Sequence, residues 1–231
     1  MVFTEELTMN NLNILYEDNH VIVVVKPPNI LVQADITGDV DMLTIIKDYL
    51  KEKYHKPGNV YLGLVHRLDR VVGGVMVFAK TSKAASRLSD SIRKREVKKM
   101  YLAVCHGKIN ERGKFVDYLK KLDNFSSVIT TEKDGKLSSL SYELIDYNKE
   151  KDLSLAKISL ETGRHHQIRV GFASRKHALV GDSRYGKDNE KEIGLFAYQL
   201  SFYHPTTKKE LTFTYIPHSR PFNLFNMENI V

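Results

Sequence analysis

Strand-like segments follow one another along most of this chain with little room for a helix between them, and that succession narrows the fold. Strands joined by short turns pair as antiparallel hairpins, because a parallel pairing needs a crossover of a dozen or more residues. NILYEDNHVIVVVKPPNILVQ reads as two strands, Ile14 to Tyr16 and Val21 to Lys26, broken by Glu17 to His20 and stopped by Pro27-Pro28. Further strands are predicted at Val75 to Ala79, Met100 to His106, Leu140 to Tyr147, Leu153 to Leu160, Leu195 to Tyr203 and Glu210 to Ile216, with HPTTKK turning between the last two. Leu153, Leu155, Ile158 and Leu160 are read as a period-2 apolar pattern in the segment Leu153 to Leu160. Leu119 to Leu137 reads as an irregular basic insertion or hairpin that turns at KDGK.

Helices are few. Met42, Ile45, Ile46, Tyr49 and Leu50 recur at helical spacing behind Asp41, a suitable N-cap, which predicts a helix from Asp41 to about Tyr54. Ser82 is placed to cap a second, with Ala84, Ala85, Leu88 and Ile92 on its buried side. A third, short helix follows Gly163, with Ile168 and Phe172 inward and His165, Gln167 and Arg169 projecting elsewhere. The expected fold is α+β, a mixed, mainly antiparallel central sheet flanked by helices. With no internal repeat and no long linker, the 231 residues divide into a tail, residues 1–11, and one folded unit, residues 12–231.

No apolar run approaches the roughly 20 residues of a membrane-spanning helix. The start, MVFTEELTMNNLN, is acidic and lacks the apolar core of a secretory signal. Cys105 is the single cysteine, so no internal disulfide and no paired-thiolate zinc site can form, and its apolar neighbours place it in the core. These features point to a reducing cytoplasm.

Charge is unevenly spread. The formal net charge is +7, yet Lys80 to Lys121 holds 13 basic and 4 acidic residues while Met1 to Val60 holds 5 basic and 9 acidic. The densest stretch, RKREVKKMY, leads Arg93, Lys94, Arg95, Lys98 and Lys99 into Tyr101. It reads either as a solvated helix end, where the dipole favours cations, or as a phosphate-contacting stripe beside an aromatic platform.

Neither a P-loop nor a G-x-G-x-x-G is present, and the nine histidines fall in no carboxylate-histidine spacing of a catalytic zinc site. The strongest local signal is HRLDR, His66 to Arg70, with Gly63 before it and Gly73-Gly74 after it. It reads as a surface salt bridge or as a site in which neighbouring guanidinium groups keep Asp69 ionised, ready to act as a nucleophile. ETGRHHQIR, Glu161 to Arg169, is a cationic helix start whose Arg164 and Arg169 could hold a phosphate or the Asp69 carboxylate. GDSRYG, Gly181 to Gly186, is a glycine-bracketed turn.

Taken in order, these segments resemble the RluA-type family of RNA pseudouridine synthases, from about Leu12 to Ile216. The family's lysine-proline opening matches DNHVIVVVKPPNILV, its H-R-L-D-R matches His66 to Arg70, and its G-x-x-x-x-A-K-T matches Gly74 to Thr81. Its K-x-Y matches Lys99 to Tyr101, its T-G-R-x-H-Q-I-R-V matches Thr162 to Val170, and its G-D-x-x-Y-G matches Gly181 to Gly186. Two departures stand out: Val71-Val72-Gly73 where aspartate-threonine-serine is usual, and Gly171 where a polar residue is common.

The resemblance implies an isomerase that flips a uridine out of structured RNA, ribosomal or transfer, and reattaches the base through C5. Asp69 would be the catalytic aspartate, attacking ribose C1′ or assisting a glycal intermediate. Tyr101 would pack on the base and help remove the C5 proton, and Arg169 would pair with Asp69. Arg67 would hold the flipped nucleotide or fill its vacated space. His66, Arg70, Arg164, His166 and Gln167, with the cations Arg93, Lys94, Arg95, Lys98 and Lys99, would bind RNA. No cofactor, metal or protein partner is implied, and the expected state is a monomer. The family's frequent S4-type RNA-binding domain has no counterpart among the few residues before the first strand. The competing class is a non-catalytic RNA-binding or RNA-folding protein that keeps the fold; a nucleoside hydrolase ranks lower, because no second carboxylate motif lies near Asp69.

Overall fold

The computed structural model describes residues 8–188, 190–228 and 230. Two compact units emerge, one made by the chain up to Val97 together with Leu200–Tyr215, the other by Lys98–Gln199 and Ile216–Val231.

In the first unit, strands β1 (Ile14–Glu17) and β2 (Val21–Lys26) form an antiparallel hairpin. Asp18 makes its turn, accepting hydrogen bonds from the backbone N–H groups of His20 at 2.7 Å and Val21 at 2.8 Å. On its other edge β2 pairs antiparallel with β4 (Gly73–Ala79), to which a two-residue strand β3 (Gly63–Leu64) also adds. Helix α1 (Met42–Lys53) covers one face of β2, packing Met42, Ile46 and Leu50 with Ile22, Val24, Met76 and Phe78. Helix α2 (Ser82–Arg93) covers the other, with Ala84 and Leu88 against Val21, Val23, Val75 and Val77. Coverage on both faces is why VIVVV is apolar without alternation. Asp41 caps α1 as expected, accepting from the Thr44 N–H at 3.1 Å. The cap of α2 is Thr81, one residue before the expected Ser82, its hydroxyl accepting from Ala84 N–H at 3.1 Å.

In the second unit, β5 (Lys98–His106) pairs with β9 (Leu153–Leu160), β9 with β8 (Lys136–Asn148), β8 with β6 (Arg112–Lys121) and β6 with β7 (Ser127–Thr130), all antiparallel. The segment expected to be an irregular insertion or a hairpin, Leu119 to Leu137, is thus the end of β6, all of β7 and the start of β8, with β6 and β7 forming a hairpin. Of β6 only Phe115 and Leu119 are fully buried, with Gly113 and Asp117 beside them on the inward face and Val116 exposed, so residue type left no alternation to read. β9 departs from expectation in the other direction, because Leu153 to Ala156 are buried on both faces. Strand β10 (Leu195–Tyr203) begins in this unit beside β5 and ends in the first, where β11 (Glu210–Thr214) pairs with it. Cys105 is fully buried on β5, and burial pushes its thiol up to about 12, as suits a packing residue and not a nucleophile.

The third helix, α3 (Gln167–Ala173), packs Phe172 against Phe115 and Tyr142, ring centroids 5.1 and 5.5 Å apart. A Cβ on Gly171 would meet Phe115 Cδ2 at 3.3 Å, so a side chain there would need the Phe115 ring to give by a few tenths of an ångström. No helix among the described residues is long and apolar enough to cross a membrane.

Candidate active site

HRLDR runs between β3 and β4 and ends in a turn. Asp69 heads it, its carbonyl accepting from the Val72 N–H at 3.0 Å, the closing bond of a β-turn for which aspartate is a favoured first residue. His66 ties the segment to β4, since the Val77 N–H donates to its Nε2 at 3.1 Å. Arg70 is exposed and pairs with Asp39 at 2.7 Å. Arg67 is exposed and makes no hydrogen bond or ion pair among the described residues, which leaves its guanidinium available to a ligand.

Underneath lies the lysine of the lysine-proline opening, to which sequence reasoning gave no role. Lys26 is fully buried, and its Nζ donates to the carbonyls of Pro27 at 2.8 Å, Arg70 at 2.9 Å and Val72 at 2.8 Å. Three ammonium protons meet three acceptors, two of them in the Asp69 turn. The grip is on backbone, so Val71-Val72-Gly73 can replace aspartate-threonine-serine without loosening it; Val72 adds a buried side chain instead. The available signal was a cation closing an apolar strand immediately before two prolines.

Burial pushes the Lys26 ammonium down to about 7, against the attraction of the Asp69 carboxylate, with Arg70 adding to the depression. The ordinary value is 10.5, so between these pH values the folded chain releases a proton that the unfolded chain keeps. This residue's contribution to stability is therefore lowest below pH 7 and rises through that window. The difference in Tm between wild type and Lys26→Met should shift in favour of wild type from pH 7 to pH 9. A difference that stays constant with pH would contradict this.

In the second unit, TGRHHQIR is organised by its own buried polar groups. His166, the residue before α3, has φ 55° and ψ 21°, a left-handed conformation uncommon for a side chain of this size. Its ring spans two partners, with Nδ1 2.8 Å from the Tyr185 hydroxyl and Nε2 3.1 Å from Arg169 Nη1. A guanidinium can only donate, so Nε2 carries the lone pair and Nδ1 the proton. Arg169 is buried and forks onto Asp182, Nε donating to Oδ2 at 2.9 Å and Nη2 to Oδ1 at 2.7 Å. Asp182 Oδ1 also accepts from the N–H groups of Arg184 and Tyr185, so GDSRYG is the cradle that aims Arg169. Asp182 and Tyr185 were visible in the sequence only as parts of a turn.

Two expectations need correction. Arg169 and Gln167 do not project away from the core; both are buried, which is tolerable because their polar atoms are paired. Gln167, expected toward RNA, instead accepts from the Thr162 hydroxyl at 2.8 Å and the Arg164 N–H at 2.9 Å and donates to the Ser139 carbonyl at 3.0 Å. It holds the turn, and His166 is likewise buried. Arg164 donates through Nε to the Leu137 carbonyl at 2.8 Å. Tyr101 is buried on β5, paired in register with Ile158.

The basic stretch divides in character. Arg93 and Lys94 at the end of α2 pair with Asp90, the latter at 2.8 Å, as a helix terminus predicts. Arg95 and Lys98 are exposed, while Lys99 is half-buried and burial lowers its pKa.

An aspartate at the head of a clamped turn, and an arginine oriented by a buried carboxylate, suit chemistry at a sugar carbon. Residues 20–174 match the family described as RNA pseudouridylate synthase, and the chain belongs to that family. It is an RNA pseudouridine synthase, an isomerase that converts uridine to pseudouridine.

Among its relatives, ribosomal large subunit pseudouridine synthase C of Buchnera aphidicola subsp. Schizaphis graminum is 34% identical over 226 residues, covering 91% of this chain and 69% of that one. Ribosomal large subunit pseudouridine synthase D of Vibrio cholerae is 32% identical over 219 residues, covering 87% and 66%. The chain thus spans about two thirds of the length of these relatives. Among solved structures, human RNA pseudouridylate synthase domain containing 1 shares the fold with a TM-score of 0.75 at 21% identity, over 93% of this chain and 86% of that one.

Proposed function

We propose that this chain isomerises specific uridines in ribosomal RNA, with Asp69, Tyr101 and Arg169 carrying the reaction. The target uridine leaves its stack, because its glycosidic bond is out of reach within a folded RNA. Asp69 assists cleavage of the bond between N1 and C1′, by attack on C1′ or through a glycal. The freed uracil turns, C5 bonds to C1′, C5 gives up its proton with help from Tyr101, and N1 gains one. No atom is added or lost overall. Arg67 holds the displaced nucleotide.

The observation that carries this reading is the turn at Asp69, clamped from below by Lys26 and preceded by the unengaged Arg67. The names of the bacterial relatives favour ribosomal over transfer RNA. We assign the protein to the cytoplasm, as a monomer.

Carbodiimide mapping of pseudouridine in total RNA tests the proposal, using cells that lack the protein and cells complemented with wild type or Asp69→Ala. Sites that vanish in the deletion and return with wild type alone support it; full restoration by Asp69→Ala would sink it.

The exposed cations supply phosphate contacts. Affinity for RNA should fall as salt rises, and Arg95→Ala and Lys98→Ala should each flatten the plot of log affinity against log salt by roughly 0.7–0.9. A slope unchanged in both variants would remove those residues from the interface.

A further inference from the structure

The second unit contains a cavity of about 310 Å³ that uses none of the residues assigned to the reaction. That volume lies at the small end of ligand sites and suits one flat ring system.

Its wall is built around Arg175. The guanidinium lies over the Phe115 ring, Cζ 4.0 Å from the centroid. Nη1 and Nη2 donate to the two carboxylate oxygens of Asp117 at 3.1 and 2.9 Å, and Nη1 also reaches the Gly171 carbonyl at 3.0 Å. Phe115 packs in turn on Tyr142 and Phe172, centroids 5.0 and 5.1 Å away. One face and one edge of the guanidinium are therefore fixed, while its side chain remains 33% exposed. A rigid guanidinium plane open on one side is a surface on which unpaired RNA bases stack.

Two polar groups complete the wall. Tyr142 is 9% exposed, and its hydroxyl makes no hydrogen bond among the described residues. Burial raises its pKa, so it keeps its proton and can donate. His177 Nδ1 lies 2.9 Å from the His106 carbonyl, so Nδ1 bears a proton and, in the neutral ring, Nε2 is an acceptor. A donor and an acceptor beside a stacking plane are what the edge of a base requires.

Charge argues for a base and against a phosphate. Arg175 is neutralised by Asp117 and Lys114 by Glu161 at 2.7 Å, so the cavity holds no surplus of positive charge from these side chains. We propose that this cavity takes one unpaired nucleobase of the bound RNA, stacked on the Arg175 guanidinium with its edge read by the Tyr142 hydroxyl and His177 Nε2. The proposal rests on RNA being the substrate and adds a second point of recognition.

The test uses the full chain and a fluorescein-labelled uridine decamer, with binding read by anisotropy at fixed salt. Arg175→Lys keeps the charge but loses the plane and should weaken binding roughly 5-fold or more, the range of a lost base stack. Tyr142→Phe removes one oxygen from an otherwise intact ring and serves as the variant least able to disturb folding; it should weaken binding measurably. A decamer carrying 4-thiouridine should photocross-link to peptides containing Tyr142 or Arg175, and millimolar inorganic phosphate should not block that adduct. Wild-type affinity in both variants, with cross-links only elsewhere, would overturn the subsite and leave the RNA reading standing. Phosphate that blocks the adduct would identify an anion site instead. Failure of wild type to bind the decamer at all would overturn the subsite, while the carbodiimide mapping above decides the RNA reading separately.

Discussion

Asp69→Asn is expected to abolish pseudouridine formation, by roughly 10⁴-fold or more, while leaving the fold and RNA binding in place. The substitution keeps the size of the side chain and removes only the negative charge that attack on C1′, or stabilisation of a glycal, requires. Because Lys26 grips the carbonyls of Arg70 and Val72, and the turn is closed through the Asp69 carbonyl, the substitution leaves these backbone contacts of the loop untouched. Asp69→Glu retains the charge but moves it by about one bond length, and displacements near 1 Å cost on the order of 100-fold. The reaction expels the C5 hydrogen, so tritium release from RNA labelled at uracil C5 measures it directly. Residual release by Asp69→Asn above about 1% of wild type would remove Asp69 from the chemistry.

The second large effect is on the buried pair in the other unit. Asp182→Asn leaves Arg169 charged, 5% exposed and without its carboxylate, a change of the kind that costs about 3–5 kcal/mol. In a chain of this size that corresponds to a fall in Tm of roughly 6–20 °C. Asp182 also loses acceptor strength toward the Arg184 and Tyr185 N–H groups, so the GDSRYG turn should loosen with it. Replacing both partners, Arg169→Met with Asp182→Leu, should be less destabilising than Asp182→Asn alone, because the guanidinium leaves together with the buried carboxylate onto which it forks. The double variant should nevertheless be inactive, which separates the contribution of Arg169 to the reaction from its contribution to folding. Thermal melts of the three proteins decide the matter; a double variant less stable than the single would show that the pair is stabilising in its own right.

Much of the fold was legible because local rules applied undisturbed. The strand Val21–Lys26 was closed by prolines, α1 had its cap at Asp41 and its apolar period, and Leu153–Leu160 and Leu195–Tyr203 were bounded by turn residues. Strand β6 was missed for the opposite reason: its inward face carries Gly113 and Asp117 beside Phe115 and Leu119, while apolar Val116 is exposed on the other, so residue type does not alternate although burial does. The two-residue β3 is too short to carry any signal.

The candidate site divides along the same line. Candidate reactive groups stand out by type and order, so Asp69, Tyr101 and Arg169 are proposed from HRLDR, KMY and TGRHHQIR through the family resemblance. The groups that hold them could not be found in this way. Lys26 and the turn it clamps are separated by more than 40 residues, and Arg169 and Asp182 by 13, so neither contact has a local sequence signature. Gln167 illustrates the converse, since a polar side chain in a cationic motif read as a ligand contact and proved to be a buried strut. The sequence by itself determined the chemistry available, through residue type, and the secondary structure, through periodicity and turn residues. Tertiary structure alone decided which polar groups were buried and paired, because the cost of burying a charge is met only by a partner that the chain brings from far away.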